Sequence, residues 1–445
     1  MDSEEKPTFK HTEIGMIPED WNIKEFSEVL IEKTRNGLYK PKNFHGKGTK
    51  MINMGELFAY DKIADADMEL VELTDSEKER FLVKNGDLLF ARRSLVAAGA
   101  GKCSLVVGNV ERTFESSIIR ARPDPKKANS EYLFYFFAST VGKHLLDSIL
   151  RHVAVAGITG SDLMNLKIPL PSLQEQHGVA ETLTALDAKI TLNQQMNRTL
   201  EAIGQAVFKR WFVDFEFPNE EGKPYKSSGG ELVYNENLGK EIPKEWKVGK
   251  IGDVLTTALG GTPDRTNGEY WDGDIPWINS GKVNEFRIIE PSEYITKKGL
   301  ENSATRLLPK RTTVLAITGA TLGQVSLLEI DSCANQSVVG VLKSEEIPSE
   351  YIYFWIKHSI LNIIAWQTGG AQQHINKENV NNSPLLIPNA GILLDYFKIT
   401  KPLFDKIALS CFESLNLSKT CSLLLPKLVS GKIRVPVPKD NMETL

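Results

Sequence analysis

The strongest constraint on this chain is that it is written twice. Ile17-Pro18-Glu19-Asp20-Trp21 returns 225 positions later as Ile242-Pro243-Lys244-Glu245-Trp246, and both copies run on to a Val-Leu pair, Val29-Leu30 and Val254-Leu255. Gly101-Lys102-Cys103-Ser104-Leu105 parallels Gly323-Gln324-Val325-Ser326-Leu327, and Ser130-Glu131-Tyr132-Leu133-Phe134-Tyr135-Phe136 parallels Ser349-Glu350-Tyr351-Ile352-Tyr353-Phe354-Trp355. The copies close on Leu166–Pro171 and Ser383–Pro388, now 217 positions apart. An order kept over roughly 200 residues marks a duplicated unit, and the drifting offset is what loop insertions and deletions produce. Whatever fold one copy takes, the other takes as well.

Each copy has two parts. The first, 12–171 and 238–388, mixes short β-rich runs (Asp87–Phe90, Thr313–Ile317, Ser337–Leu342) with Gly, Asn and Pro turns and one aromatic helix, near Tyr132 or Tyr351. The second, 172–217 and 389–435, carries apolar residues at helical spacing and reads as one long helix. Ser172 as N-cap with Glu175 three residues on predicts a capping box at the first helix. Its expected seam is Val179, Leu183, Leu186, Ile190, Met196, Leu200, Ile203 and Val207, interrupted by Asn193 and Asn197. The second helix offers Leu403, Ile407, Cys411, Leu415, Leu417, Cys421, Leu424 and Leu428, with Asn389 a weaker cap because Ile392 stands where the acid would be. The expected fold class is therefore α+β: two repeated domains separated by two long antiparallel coiled-coil helices, with a pseudo-twofold axis. The expected boundaries are domain one 1–171, helix 172–217, linker and domain two 218–388, helix 389–435 and a tail 436–445. Thirty-six helical residues span about 54 Å, long enough to hold two domains about one 34 Å turn of DNA apart.

At 445 residues, 41% hydrophobic and 25% charged, the composition is that of a soluble globular protein. The N-terminus, Met1-Asp2-Ser3-Glu4-Glu5-Lys6, is acidic rather than signal-like, and apolar runs such as Tyr132–Ala138 are too short to span a bilayer. A cytoplasmic protein without membrane contact is expected. Cys103, Cys333, Cys411 and Cys421 form no Cys-x-x-Cys pair, which argues against a zinc site and against a disulfide framework. The net charge of −4 lacks a basic footprint, so a nucleic-acid face must be local, or a partner must supply positive potential.

Gly260-Gly261-Thr262-Pro263-Asp264-Arg265, followed by Gly268-Glu269-Tyr270-Trp271 and Ile275-Pro276-Trp277-Ile278, resembles the opening of target-recognition domains in type I restriction-modification specificity subunits. Ile168-Pro169-Leu170-Pro171-Ser172-Leu173-Gln174-Glu175-Gln176 resembles the entry to that family's conserved helix, and Phe208-Lys209-Arg210-Trp211-Phe212-Val213-Asp214-Phe215 resembles its end. The resemblance covers essentially the whole chain. It implies a specificity subunit of a type I complex that binds an asymmetric bipartite site on double-stranded DNA. It further implies two methyltransferase subunits, which carry S-adenosylmethionine and flip the target adenine, and two translocating nuclease subunits. Two departures stand out: Asn36-Gly37-Leu38-Tyr39-Lys40-Pro41-Lys42 replaces the Thr-Pro-Ser-Arg loop, and the second helix lacks the Glu-Gln start.

No catalytic residue, cofactor or metal is expected on this chain. Ala98-Gly99-Ala100-Gly101-Lys102-Cys103-Ser104 imitates a phosphate loop, but Val96 stands where the first Gly is needed and Cys103 where a hydroxyl would hold magnesium. Asp214, Glu221 and Lys223 imitate a nuclease cluster but are compressed into the linker Phe217–Gly230. The seven histidines show no ligand spacing. Two rival readings are a self-sufficient methyltransferase or nuclease, and an orphan DNA-binding subunit without restriction partners.

DNA contact is expected from two sets of residues. From Lys33 to Gly55 there is no acid, but Lys33, Arg35, Lys40, Lys42, Lys47 and Lys50 alternate with Tyr39, Phe44 and glycines. Arg92 and Arg93 follow a strand and suit guanine edges, with Lys102 nearby; the equivalent turn in the second copy offers Thr318, Thr321 and Gln324. The second domain adds Thr262, Arg265, Asn279, Lys282, Gln372, Gln373, His374 and Asn376, whose amides suit adenine edges. Two different half-sites are the expectation.

Overall fold

The computed structural model describes residues 8–94, 99–151, 156–365 and 374–435. The chain forms two compact units, one of residues 1–189 with 416–445, the other of residues 190–415.

In the first unit a five-stranded sheet has the order Arg35–Asn36, Ile118–Ala121, Leu88–Ala91, Cys103–Val106, Lys62–Ile63. A three-stranded sheet sets Arg112–Phe114 parallel to His45–Ile52, which pairs antiparallel with Leu70–Val71 through a bulge between His45 and Thr49. The central strands lack the apolar–polar alternation of a one-sided sheet because both faces are covered: Leu88, Leu89, Phe90 and Ala91 are all buried. Phe26, Phe90 and Phe137 meet edge to face on one side, and helix Ser130–Ala138, capped by Asn129, closes that side.

The second unit repeats this plan. Thr257–Leu259, Val338–Val341, Thr313–Ala316 and Val325–Leu327 make the larger sheet. Trp271–Ile278 sits between Glu293–Ile295 and a parallel Cys333–Ala334, again with a bulge, between Trp271 and Ile275. Its aromatic helix is Ser349–Ile364.

The long helices are Leu173–Phe208 and Ala390–Val429. Within the second unit they pair antiparallel, since Asn193 reaches Glu413 and Ser414 while Asn197 reaches Cys411. Within the first unit Glu175 meets Arg434, Gly178 packs against Val435, and Leu183 shares a core with Leu424 and Leu428, which is again antiparallel. Two sequence expectations need correction. Val179 and Leu183 are buried as expected, but further along the first helix the buried positions are Asn193, Asn197, Glu201, Gly204 and Phe208, and Ile203 faces solvent: the Asn193 and Asn197 side-chain nitrogens and the Glu201 carboxylate find partners distant in sequence. The Ser172 hydroxyl does accept from the Glu175 amide, but the Glu175 carboxylate turns to the Trp21 indole and to Arg434, which also holds Asp20.

Chain leaving the first helix makes a single wide turn, Lys209–Val213, that drives Phe212 into the second unit. There Phe212 lies 4.8 Å from Tyr351 and 4.9 Å from Tyr396, ring centre to ring centre. Phe217, expected to open a solvated linker, is instead buried and stacked on Trp246.

Candidate nucleic-acid interface

Backbone hydrogen bonds inside each unit show which residues of the two repeats are equivalent. The Ala91 amide donates to Lys102 O and the Arg92 amide to Ser117 O; in the second unit Ala316 donates to Gln324 O and Ile317 to Ser337 O. Ile158 donates to Arg92 O as Ile375 does to Ile317 O, and Gly37 to Ile118 O as Gly260 does to Val338 O. Arg93 therefore corresponds to Thr318, Lys102 to Gln324, Ser116 to Gln336, and Gly157 to His374. Both pairs Arg93–Gly157 and Thr318–His374 are antiparallel bridges. At the end of each central strand this brings one rim together: Gly37, Arg92–Arg93, Glu115–Ser117 and Gly157–Thr159 in the first unit. In the second unit the rim is Gly260–Thr262, Ile317–Thr318, Asn335–Ser337 and His374–Asn376.

Glycine is required where the rim closes. A Cβ on Gly37 would lie 2.1 Å from Glu115 O, and one on Gly260 would lie 2.1 Å from Asn335 O. Gly260→Ala must push two backbones apart, so it is expected to cost about 1–3 kcal/mol in denaturant unfolding of the full chain. An unchanged midpoint would show that this approach is not needed.

The rim is also where strand rigidity and side-chain freedom meet. Arg93 is exposed; the Arg92 guanidinium donates to Ser116 O at 3.3 Å. The Lys102 ammonium holds Asp61 at 2.9 Å and also donates to Phe58 O. In the second unit the Thr262 hydroxyl donates to Gln336 Oε1 at 2.5 Å. Thr321 donates to Thr318 O, Gln324 is exposed, and Asn376 caps helix Lys377–Asn382. Gln372 and Gln373 lie outside the described residues.

The remaining sequence candidates are not on the rim as one patch. Arg35 leaves the first rim strand toward Glu32, 3.7 Å away, and is half-buried. Lys40 is half-buried against Glu77 at 2.7 Å and lies over the Phe44 ring, while Lys42 is exposed. Lys47 pairs with Glu72 at 3.0 Å and Lys50 with Asp65. Lys47 stands toward the far end of strand His45–Ile52, whose last carbonyl receives the Glu115 amide; at 3.3 Å per residue Lys47 is about 16 Å and Lys50 about 7 Å from the Ile52 end. Arg265 stacks on Trp271, 3.8 Å from its ring centre, and pairs with Glu293. Lys282 pairs with Glu285 at 2.7 Å, and Asn279 caps the turn that carries it. These carboxylates explain how a net acidic chain carries cationic loops. Exposed pairs of this kind are worth about 0–1 kcal/mol, so exchanging a carboxylate for a phosphate costs little.

Sequence reasoning passed over Glu115–Ser117 and Asn335–Gln336. Their signal was position: each turn immediately precedes a fully buried strand, Ile118–Ala121 or Val338–Val341. Among the described residues no group of three His, Cys, Asp or Glu side chains is placed to hold a metal, and no helix is long and apolar enough to cross a membrane.

Two like scaffolds that present unlike side chains at the same rim positions define a duplicated recognition protein. The family described as "Type I restriction modification DNA specificity domain" matches residues 18–202 and 243–410, and the chain belongs to that family; its role is DNA sequence specificity in a type I restriction-modification system. The chain is 27% identical over 434 residues to the type I restriction enzyme MjaIX specificity subunit of Methanocaldococcus jannaschii, covering 96% of each protein. It is 23% identical over 405 residues to the HindI specificity subunit of Haemophilus influenzae, covering 79% of this chain and 87% of that one. The crystal structure of the type I system S subunit from M. genitalium shares the fold, with a TM-score of 0.60 at 15% identity, over 95% of this chain and 99% of that one.

Proposed function

We propose that this chain reads an asymmetric bipartite site on double-stranded DNA, one half-site per repeated domain, and performs no chemistry itself. The domains are taken as 1–171 and 218–388, with helical spacers 172–217 and 389–435 and a tail 436–445. Two methyltransferase and two restriction subunits assemble on it in the cytoplasm and supply S-adenosylmethionine-dependent methylation and cleavage. The observation that carries this reading is the pairing of unlike side chains at like backbone positions: Arg93 with Thr318, Lys102 with Gln324, Ser116 with Gln336. One scaffold repeated with different donors and acceptors recognises two different base sequences. Proposed contacts in the first domain are Arg92, Arg93 and Lys102 at base edges, with Arg35, Lys40, Lys42, Lys47 and Lys50 on phosphates. In the second they are Thr262, Arg265, Lys282, Thr318, Thr321, Gln324, Gln372, Gln373, His374 and Asn376.

The test is co-expression with the methyltransferase partner and mapping of methylated adenines. Exchange of residues 12–171 for another family member's domain should change one half-site and leave the other intact; two unchanged half-sites would overturn the assignment. Within the first half-site, Arg93→Ala is expected to cost about 1–3 kcal/mol of discrimination at one guanine. Competition binding of the complex against single-base variants measures it, and equal loss on every variant would reduce Arg93 to a phosphate contact.

A further inference from the structure

We propose that Gln336, which no sequence pattern singled out, reads an adenine in the half-site of the second domain, with Thr262 as its positioning residue. This rests on the reading of the rim as a DNA-facing surface. The turn that carries Gln336 is fixed on every side. Asn335 donates its amide to Ile278 O and its side-chain oxygen accepts from the Ser337 amide at 3.1 Å. Val338 donates to Asn335 O, and Gly260 and Gly261 donate to Val338 O and Ala334 O. A side chain on such a turn projects from a backbone that does not shift when a ligand arrives, which is what directional base recognition needs.

The amide itself is partly spent and correctly left over. Gln336 is exposed, and its Oε1 accepts the Thr262 hydroxyl at 2.5 Å. A carboxamide oxygen has two lone pairs and its nitrogen two protons. With one lone pair taken by Thr262, the second lone pair and the Nε2 protons remain, and these match adenine N6–H and N7 in the major groove. Thr262 is half-buried and sits between the tightly packed Gly261 and Pro263, so it fixes the rotation of the amide. In the first domain the equivalent position is Ser116, and there the backbone carbonyl holds Arg92. The same turn thus delivers an amide in one domain and steadies a guanidinium in the other.

The test uses the full chain in complex with its methyltransferase subunits. For Gln336→Ala, methylation mapping and competition binding on a duplex set with every single-base substitution are expected to show relaxation at one position of the second half-site. Discrimination there should fall on the order of tenfold to a hundredfold, with the first half-site unchanged. Thr262→Val should relax the same position by a smaller factor. The melting temperature of Gln336→Ala should match that of the parent, because the side chain is exposed. An unchanged motif overturns the assignment, as does a uniform loss of binding across all substitutions, which would make Gln336 a backbone contact. A parent complex with no bipartite target at all would instead remove the broader reading, and this assignment with it.

Discussion

Arg287→Met is expected to destabilise the chain by about 3–5 kcal/mol, the cost of stranding a buried carboxylate. Arg287 is 3% exposed. Its guanidinium donates to Glu201 Oε2 at 2.7 Å, to Tyr353 Oη at 3.0 Å and to Phe286 O, and it lies within 5.2 Å of the ring centres of Phe286, Tyr353 and Phe404. Burial pushes the Glu201 carboxyl up, while the charges of Arg287 and Lys357 and the hydrogen bonds from Arg287 and Tyr353 carry it below its ordinary value. Methionine fills the volume but leaves Glu201 with only Tyr353 and Lys357. Guanidinium denaturation of the full chain measures the loss. Arg287→Met combined with Glu201→Leu should recover most of it, because removing both partners removes the buried charge as well. A single variant that loses less than about 1 kcal/mol would show that water reaches Glu201.

The second large effect is on pH dependence and centres on Glu329. Neither of its oxygens accepts a hydrogen bond, although Arg311 Nε lies 3.1 Å from one and Arg287 Nε 3.9 Å from the other. Burial lifts the carboxyl from 4.5 to about 7 against the pull of Arg311 and Arg287. A raised carboxyl means that the folded chain holds a proton the unfolded chain releases. The associated stability is fully present below about 4.5 and is lost as the pH rises through about 7. The loss at pH 8 is on the order of 3 kcal/mol, from about 1.36 kcal/mol per unit. Glu329→Gln, which stays neutral, should match the parent at pH 4.5 and exceed it increasingly toward pH 8. A constant gap between the two chains across that range would contradict the assignment of the proton to Glu329.

The duplicated plan was legible because it is written in local patterns: the Ile-Pro-x-x-Trp openings, the aromatic helices that start Ser-Glu-Tyr, and the closing segments Leu166–Pro171 and Ser383–Pro388. Ser172 was legible as a cap because its partner is three residues away. The destination of the Glu175 side chain was not, since Arg434 lies 259 positions along the chain. The same distance problem misplaced the helix seam. A periodic reading favours Ile203 over Glu201, and it is Arg287, Lys357 and Tyr353, 86, 156 and 152 positions away, that make burial of Glu201 favourable. At the candidate site the basic run Lys33–Gly55 reads as one patch, yet Lys40 turns to Glu77 and strand His45–Ile52 carries Lys47 to the end away from the rim. Gln336 was passed over because a lone amide in a turn carries no signal until the backbone pairing sets it opposite Ser116 of the first copy.

The division of the long helices has a genetic consequence. The first unit is completed by residues 416–445 and the second ends at Leu415. Leu428 and Val429 lie in the first unit's core, Gly431 packs against Pro18 and Trp21, and Arg434 holds Asp20 and Glu175. A nonsense mutation at codon 416 would therefore leave the whole second unit encoded and strip a wall from the first. Lesions in the codons for residues 416–435 would be felt by the domain that begins roughly 400 codons earlier.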